Sequence, residues 1–349
     1  MKDVAGVGSD GQPVGPVSDP KPVTPAGPQE VADRAHARPA ASSPGTRRTL
    51  SSRWRLRLEV AFFVTPALAL FVLFVLVPII QAGYYSGFNW NGLGPRDRFV
   101  GTANYREALT DPVFLGAIEH NLIIVVLSIL IQLPLGLGVA LLLNRKMRGR
   151  ALLRTLIFIP YVLAEVVAGV VWLLMLQPDG FVNHMLESVG LVRFRELWVG
   201  DPKIALYALF AVLTWKYLGF AILLFLAGLQ GVPPELHEAA ALDGASWWQV
   251  QRRITIPLLG PTIRIWAFLS MIGSLQLFDM VWIMTGGGPA NSTSTMATYL
   301  ISQGIRRFRF GYGSAVAVII FVISLIFALT YQRFVLRRDS VGAATGRKG

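Results

Sequence analysis

Three charged side chains stand in runs that are otherwise apolar: Glu165, Lys216 and Asp279. A charge at bilayer depth is costly and by default marks function. Counted from the outer ends of their segments at about 1.5 Å per residue, Glu165 and Lys216 lie roughly 16–18 Å deep and Asp279 about 9 Å deep. Glu165 and Lys216 can therefore pair across neighbouring helices. Such a pair either fixes packing or belongs to a wet cavity that orients a neutral polar ligand. Other chemistries are closed. The chain has no cysteine, so disulfides, thiolate metal sites and cysteine nucleophiles are excluded. Its four histidines, His36, His120, His184 and His237, are too scattered to suggest a metal cluster. No GxxxxGK[ST] occurs, so the chain has no P-loop of its own for ATP.

The elements that must position those charges are membrane helices. Of 349 residues, 53% are hydrophobic and only 15% charged, and mean hydropathy is +0.53. A soluble domain carries roughly a quarter charged residues. A crossing helix needs about 20 apolar residues. Six segments qualify: Glu59–Gln81, Asn121–Leu143, Leu152–Leu176, Ile204–Leu229, Ile265–Thr285 and Ser314–Leu336. The expected fold class is an all-α polytopic membrane protein with six transmembrane helices. An even number puts both termini on one side. That side's flanks hold 22 Lys and Arg against nine on the other, so it faces the cytoplasm. The outer loop with Arg306, Arg307 and Arg309 fits this least well. The net charge of +12 is thus a membrane-flank feature and not a sign of nucleic-acid binding. Residues 1–57 hold eight of the 21 prolines before residue 45 and read as a disordered cytoplasmic tail. An apolar core follows only after Arg53, Arg55 and Arg57, which argues against a signal peptide. Residues 339–349 read as a short cytoplasmic C-terminal tail.

One cytoplasmic loop, 231–260, is long enough to have its own structure. Pro233-Pro234 ends the fourth span and can open a new helix, with Glu235 and Glu238 in its early turns. Gly244 stops that helix. Ser246 and Gln249 have capping-box spacing for a second short helix, which Pro257 ends or kinks. Two short helices with an elbow at Gly244 are expected under the membrane. Ala239-Ala240-Ala241 is a smooth surface, Glu238 a fixed charge, and Trp247 and Trp248 large apolar contacts. That set suits a rigid partner; it equally suits a helix resting on lipid headgroups.

The series Glu238-Ala239-Ala240, three residues, Gly244, nine residues, Ile254, then Ile256-Pro257 resembles the EAA loop of ABC importer permeases, with Ile256 where the family usually has Leu. Phe99-Val100-Gly101 with Asn104-Tyr105, and Thr285-Gly286-Gly287-Gly288-Pro289 with Phe310-Gly311-Tyr312, are similar to segments of the maltose and glycerol-phosphate type, the carbohydrate-uptake permeases. The likeness runs from about Leu58 to Arg338. It implies a type I importer permease domain over 58–338. It further implies that Glu238, Ala239, Ala240, Asp243 and Gly244 couple to an ATPase, that two copies of that cytoplasmic ATPase subunit bind ATP and Mg, and that this chain holds no cofactor or metal and does no catalysis. A second permease subunit forming a heterodimer, an extracytoplasmic substrate-binding protein and a sugar substrate are implied partners, in a bacterial cytoplasmic membrane. Sugars need ring-stacking faces and hydrogen-bond partners. By the same resemblance the ligand is held from spans four and five, by Trp215, Tyr217, Gly219, Gln276 and Asp279. The competing expectation is an ion-coupled carrier without ATPase, with Glu165, Lys216 and Asp279 as a proton relay. Inverted repeats expected of many such carriers are not evident.

Overall fold

The computed structural model describes residues 50–336, apart from 97 and 146–147. Residues 1–49 and 337–349, where most of the two tails were expected, lie outside the described residues. The chain divides into two units between Pro66 and Ala67. The boundary falls inside the first helix, α1 (Leu50–Phe71). The described helix begins at Leu50, inside the stretch to residue 57 read from the sequence as a tail. Between Gly45 and Pro66 there is neither Gly nor Pro to stop a helix.

After α1 come α2 (Val77–Tyr85), α3 (Ala103–Thr110), α4 (Pro112–Leu127), α5 (Leu133–Leu143), α6 (Arg150–Val162) and α7 (Glu165–Met175). Then follow α8 (Phe181–Ser188), α9 (Ala205–Leu229), α10 (Pro234–Leu242), α11 (Trp247–Val250), α12 (Ile256–Leu258) and α13 (Gly260–Leu275). The series ends with α14 (Asp279–Met284), α15 (Met296–Leu300) and α16 (Phe310–Tyr331). The described residues contain no strand, only one antiparallel bridge between Phe88 and Phe99.

Four helical stretches are long and apolar enough to cross a membrane: Leu56–Tyr85, Pro112–Leu143, Ala205–Leu229 and Phe310–Val335. Two further pairs qualify together but are bent, α6 with α7 by 96° and Trp247–Leu258 with α13 by 66°. The count is four, or six if each bent pair is one crossing. Two expected segments are therefore not continuous helices. Leu152–Leu176 is interrupted at Leu163 and Ala164, both extended with ψ 142° and 141°. Ile265–Thr285 ends at Leu275 and resumes as α14. Prolines stand inside the second and third expected segments. Pro160 sits inside α6, three residues before the break. Pro134 follows a π-helical turn, Ser128–Gln132, whose wider hydrogen bonding absorbs the missing N–H.

Helix α9 lies at the centre and packs against α5 and α6. Leu209 and Phe225 on it are fully buried. Close approach needs small residues. A Cβ on Gly136 would stand 3.0 Å from Ala221 Cβ, and one on Gly313 would stand 2.6 Å from Gly304 Cα. Buried amides tie the ends. Asn121 donates to Ser274 O (2.6 Å) and accepts from Met296 N (2.9 Å), joining α4, α13 and α15. Around α3, Asn104 donates to Ser86 O and Phe88 O, and a Cβ on Gly311 would collide with Phe88 O. The Thr285–Pro289 run is a tight loop closed on itself. Gly286 and Gly287 have φ +60° and +93°, and Thr293 Oγ1 donates to Gly288 O at 2.6 Å.

Candidate functional site

The break between α6 and α7 places Glu165 in the first turn of α7. Lys216, on α9, is 1% exposed, and its Nζ lies 3.6 Å from Glu165 Oε1. The same oxygen accepts from the Tyr217 hydroxyl at 2.9 Å. Among the described residues Glu165 Oε2 has no hydrogen-bond partner. Sequence reasoning put these charges at one depth, and the structure brings them into one cluster.

Beside the cluster is a cavity of about 210 Å³. Ser128 and Gln132 of the π turn, Tyr161 of α6, Tyr217 and Phe220 of α9, and Ser270 and Ser274 of α13 line it, with apolar side chains between. Tyr161 and Phe220 stack at 5.2 Å, and Gln132 Nε2 donates to Thr214 Oγ1 at 3.1 Å. The cavity wall is thus mostly apolar, with aromatic rings and a few hydroxyl and amide groups set among them.

Of the five candidate ligand residues, only Tyr217 lines this cavity. Trp215 meets Trp172 edge to face at 5.3 Å and packs beside an apolar cluster. Gly219 is buried, and a Cβ there would stand 2.6 Å from Ile157 O. Its place is the α9–α6 crossing and a smaller cleft of about 120 Å³. Gln276 and Asp279 are exposed where the fifth segment breaks, and Asp279 opens α14, where the helix dipole favours an anion. Residues 276–278 do not continue the helix, and neither side chain is among those lining the cavity. The lining residues that sequence reasoning missed, Ser128, Gln132, Tyr161 and Ser270, had one signal: a polar group repeated within an apolar run.

The second candidate region is the loop after α9. Helix α10 ends in a Schellman arrangement, with Ala245 N bonded to Ala240 O (2.9 Å) and Gly244 N to Ala241 O (3.1 Å). Gly244 has φ +72°, which only glycine adopts freely. Ser246 and Gln249 form a reciprocal capping box on α11. His237 Nε2 lies 3.1 Å from Thr255 Oγ1, and the Arg145 guanidinium sits 5.4 Å over the Trp247 ring. The elbow is held in place while its surface is open. Glu238, Ala239, Asp243 and Gly244 are exposed, Ala240 is buried, and Leu242 is 91% exposed.

This bent loop lies inside the region of a family match. The model described as binding-protein-dependent transport system inner membrane component matches residues 132–339, more than half of the chain. The chain belongs to that family. Its relatives include a probable ABC transporter permease protein of Pyrococcus horikoshii, 36% identical over 78% of this chain and 94% of that one. A diacetylchitobiose uptake system permease protein of Streptomyces coelicolor is 33% identical, over 83% and 85% of the two chains. A lactose transport system permease protein of Rhizobium radiobacter is 34% identical, over 79% and 93%. Among solved structures, a bacterial ABC transporter that imports the acidic polysaccharide alginate superposes with TM-score 0.71 at 23% identity, covering 81% of this chain and 99% of that one. The fold is that of an ABC importer permease, and the chain is an ABC transporter permease, a membrane transport subunit. The EAA-like residues and the cavity both lie within this permease fold.

Proposed function

We propose that this permease forms half of the translocation pathway of an ATP-driven importer for a sugar or oligosaccharide. In this reading the two bent pairs each make one crossing, the chain spans a bacterial cytoplasmic membrane six times, and both termini are cytoplasmic. A second permease completes the pathway. The cavity supports this: about 210 Å³ falls below the roughly 300–1,000 Å³ of complete small-molecule sites, as a half-site would. Its aromatic and hydroxyl lining, and relatives named for lactose and diacetylchitobiose, favour a carbohydrate delivered by an extracytoplasmic binding protein.

The observation that carries the reading is the elbow at Gly244, braced from within yet exposed along Glu238, Ala239 and Leu242. An apolar tip of that exposure is costly in water unless a partner covers it. Two ATPase subunits, which bind ATP and Mg, serve the importer, one of them seated on this loop. Closure of the ATPase dimer moves the elbow, the movement passes through α13 to the spans around the cavity, and hydrolysis resets it.

The experiment is Glu238→Arg in the importer purified with its partners. Reversing an interfacial charge should cost about 2 kcal/mol or more of docking, over tenfold in affinity. Uptake should fall while the amount of chain in the membrane stays constant. Uptake equal to that of the unaltered importer would remove the coupling role.

A further inference from the structure

The break in the third span has no local cause. Neither Leu163 nor Ala164 is Gly or Pro, and Pro160 is still inside α6. A helix interrupted at bilayer depth leaves its last carbonyls without partners, where water cannot supply them. Lys216 meets that need from the next span. Its Nζ donates to Pro160 O at 3.1 Å, to Tyr161 O at 3.2 Å and to Leu163 O. Three carbonyls match the three protons of an ammonium group. Glu165 stands at the other lip of the break, in the first turn of α7. A cation at a helix C-terminus and an anion at an N-terminus each complement the local dipole.

The consequence reaches the cavity. Tyr161, whose carbonyl Lys216 holds, lines it from α6, and Tyr217, whose hydroxyl is bonded to Glu165, lines it from α9. The angle at Leu163–Ala164 therefore sets where these two rings stand.

We propose that Lys216 is a positioning residue for transport: its ammonium closes the carbonyl end of α6 and so fixes the bend that places Tyr161 and Tyr217 on the cavity wall. This deepens the permease reading and rests on it for the meaning of the cavity. A plain ion pair with Glu165 is the competing account, and it makes a different prediction, because a carboxylate cannot donate to carbonyls.

The chain has no cysteine, so a spin-label pair can be introduced cleanly. Leu156→Cys on α6 and Leu174→Cys on α7 are both exposed. Their separation is read by pulsed electron paramagnetic resonance on the full chain with its copurified partners in bilayers. Only chain recovered in bilayers is measured, with or without a copurified ATPase, so a general loss of stability lowers the yield and not the distance. With the label pair alone, one short, narrow distance is expected. Lys216→Met should broaden it or shift it toward the about 27 Å that 18 residues of unbroken helix span. Glu165→Gln should leave it in place, because the carbonyl contacts remain. If Lys216→Met does not insert, the exchanged pair Glu165→Lys with Lys216→Glu decides: failure to restore insertion and the short distance supports the proposal. Restoration by the exchange, an unchanged distance in Lys216→Met, or equal broadening in Glu165→Gln would each overturn it. The distance lies within one chain, so its outcome is independent of whether an ATPase copurifies, which tests the permease reading.

Discussion

At the scale of single residues, two glycines in neighbouring helices make opposite demands. On Gly219 an added Cβ meets the Ile157 carbonyl at 2.6 Å and the Phe158 Cα at 3.0 Å, both backbone atoms that cannot rotate away. On Gly138 of α5 nothing stands within 4 Å. Gly219→Ala should therefore lower stability by about 1–3 kcal/mol through overpacking, whereas Gly138→Ala should be neutral or gain roughly 0.5–1 kcal/mol from helix propensity. Thermal unfolding of the detergent-solubilised chain separates the two. Equal midpoints for both variants would mean that α6 and α9 do not approach as described. Gly219 was singled out only through the resemblance to carbohydrate-uptake permeases, and its role as a crossing point was not legible, because the backbone it meets is over 60 positions away in sequence.

Among elements, α4, α15 and α16 are joined by a hydroxyl chain. Asp111 caps α4 through Oδ1, accepting from Val113 N and Phe114 N. Its Oδ2 accepts from the Tyr299 hydroxyl of α15 at 2.8 Å, and Tyr299 lies 2.7 Å from the Tyr312 hydroxyl of α16. Burial first, then the hydrogen bonds to Tyr312 and Asp111, hold the Tyr299 hydroxyl well above the ordinary tyrosine value. A group raised in the folded state contributes stability that is complete below its unfolded pKa, about 10 for tyrosine, and is lost as pH rises past it. The thermal midpoint should fall above about pH 10. Tyr299→Phe should cost about 2–4 kcal/mol at neutral pH, two hydrogen bonds of which one is to a carboxylate, and flatten that alkaline fall. An alkaline fall of undiminished slope in the variant would assign the loss to other groups. Local sequence announces the cap at Asp111-Pro112 plainly. That Tyr299 closes onto it is a contact across 188 positions, which no periodicity carries.

For the whole molecule, the proposed topology has a direct consequence. Six crossings place both termini in one compartment, so a cytoplasm-dependent fluorescent reporter should be active at either end of the chain, and a reporter that requires export should be silent at both. Opposite signals at the two ends would mean that one bent pair does not cross. The sequence by itself determined that the chain lives in a membrane, which runs are apolar enough to cross it, and that the loop at Gly244 bends; these follow from hydropathy, Lys and Arg placement, and cap residues acting within a few positions. Only the tertiary structure decided that the third apolar segment breaks beside Glu165, that the fifth stops at Leu275, and that Gln132 and Ser270 share the cavity wall with Tyr217 while Trp215 and Gly219 do not. The physical reason is that a helix interior breaks where distant groups satisfy its freed carbonyls, as Lys216 does for α6. Such a partner is set by how helices pack, not by the residues at the break.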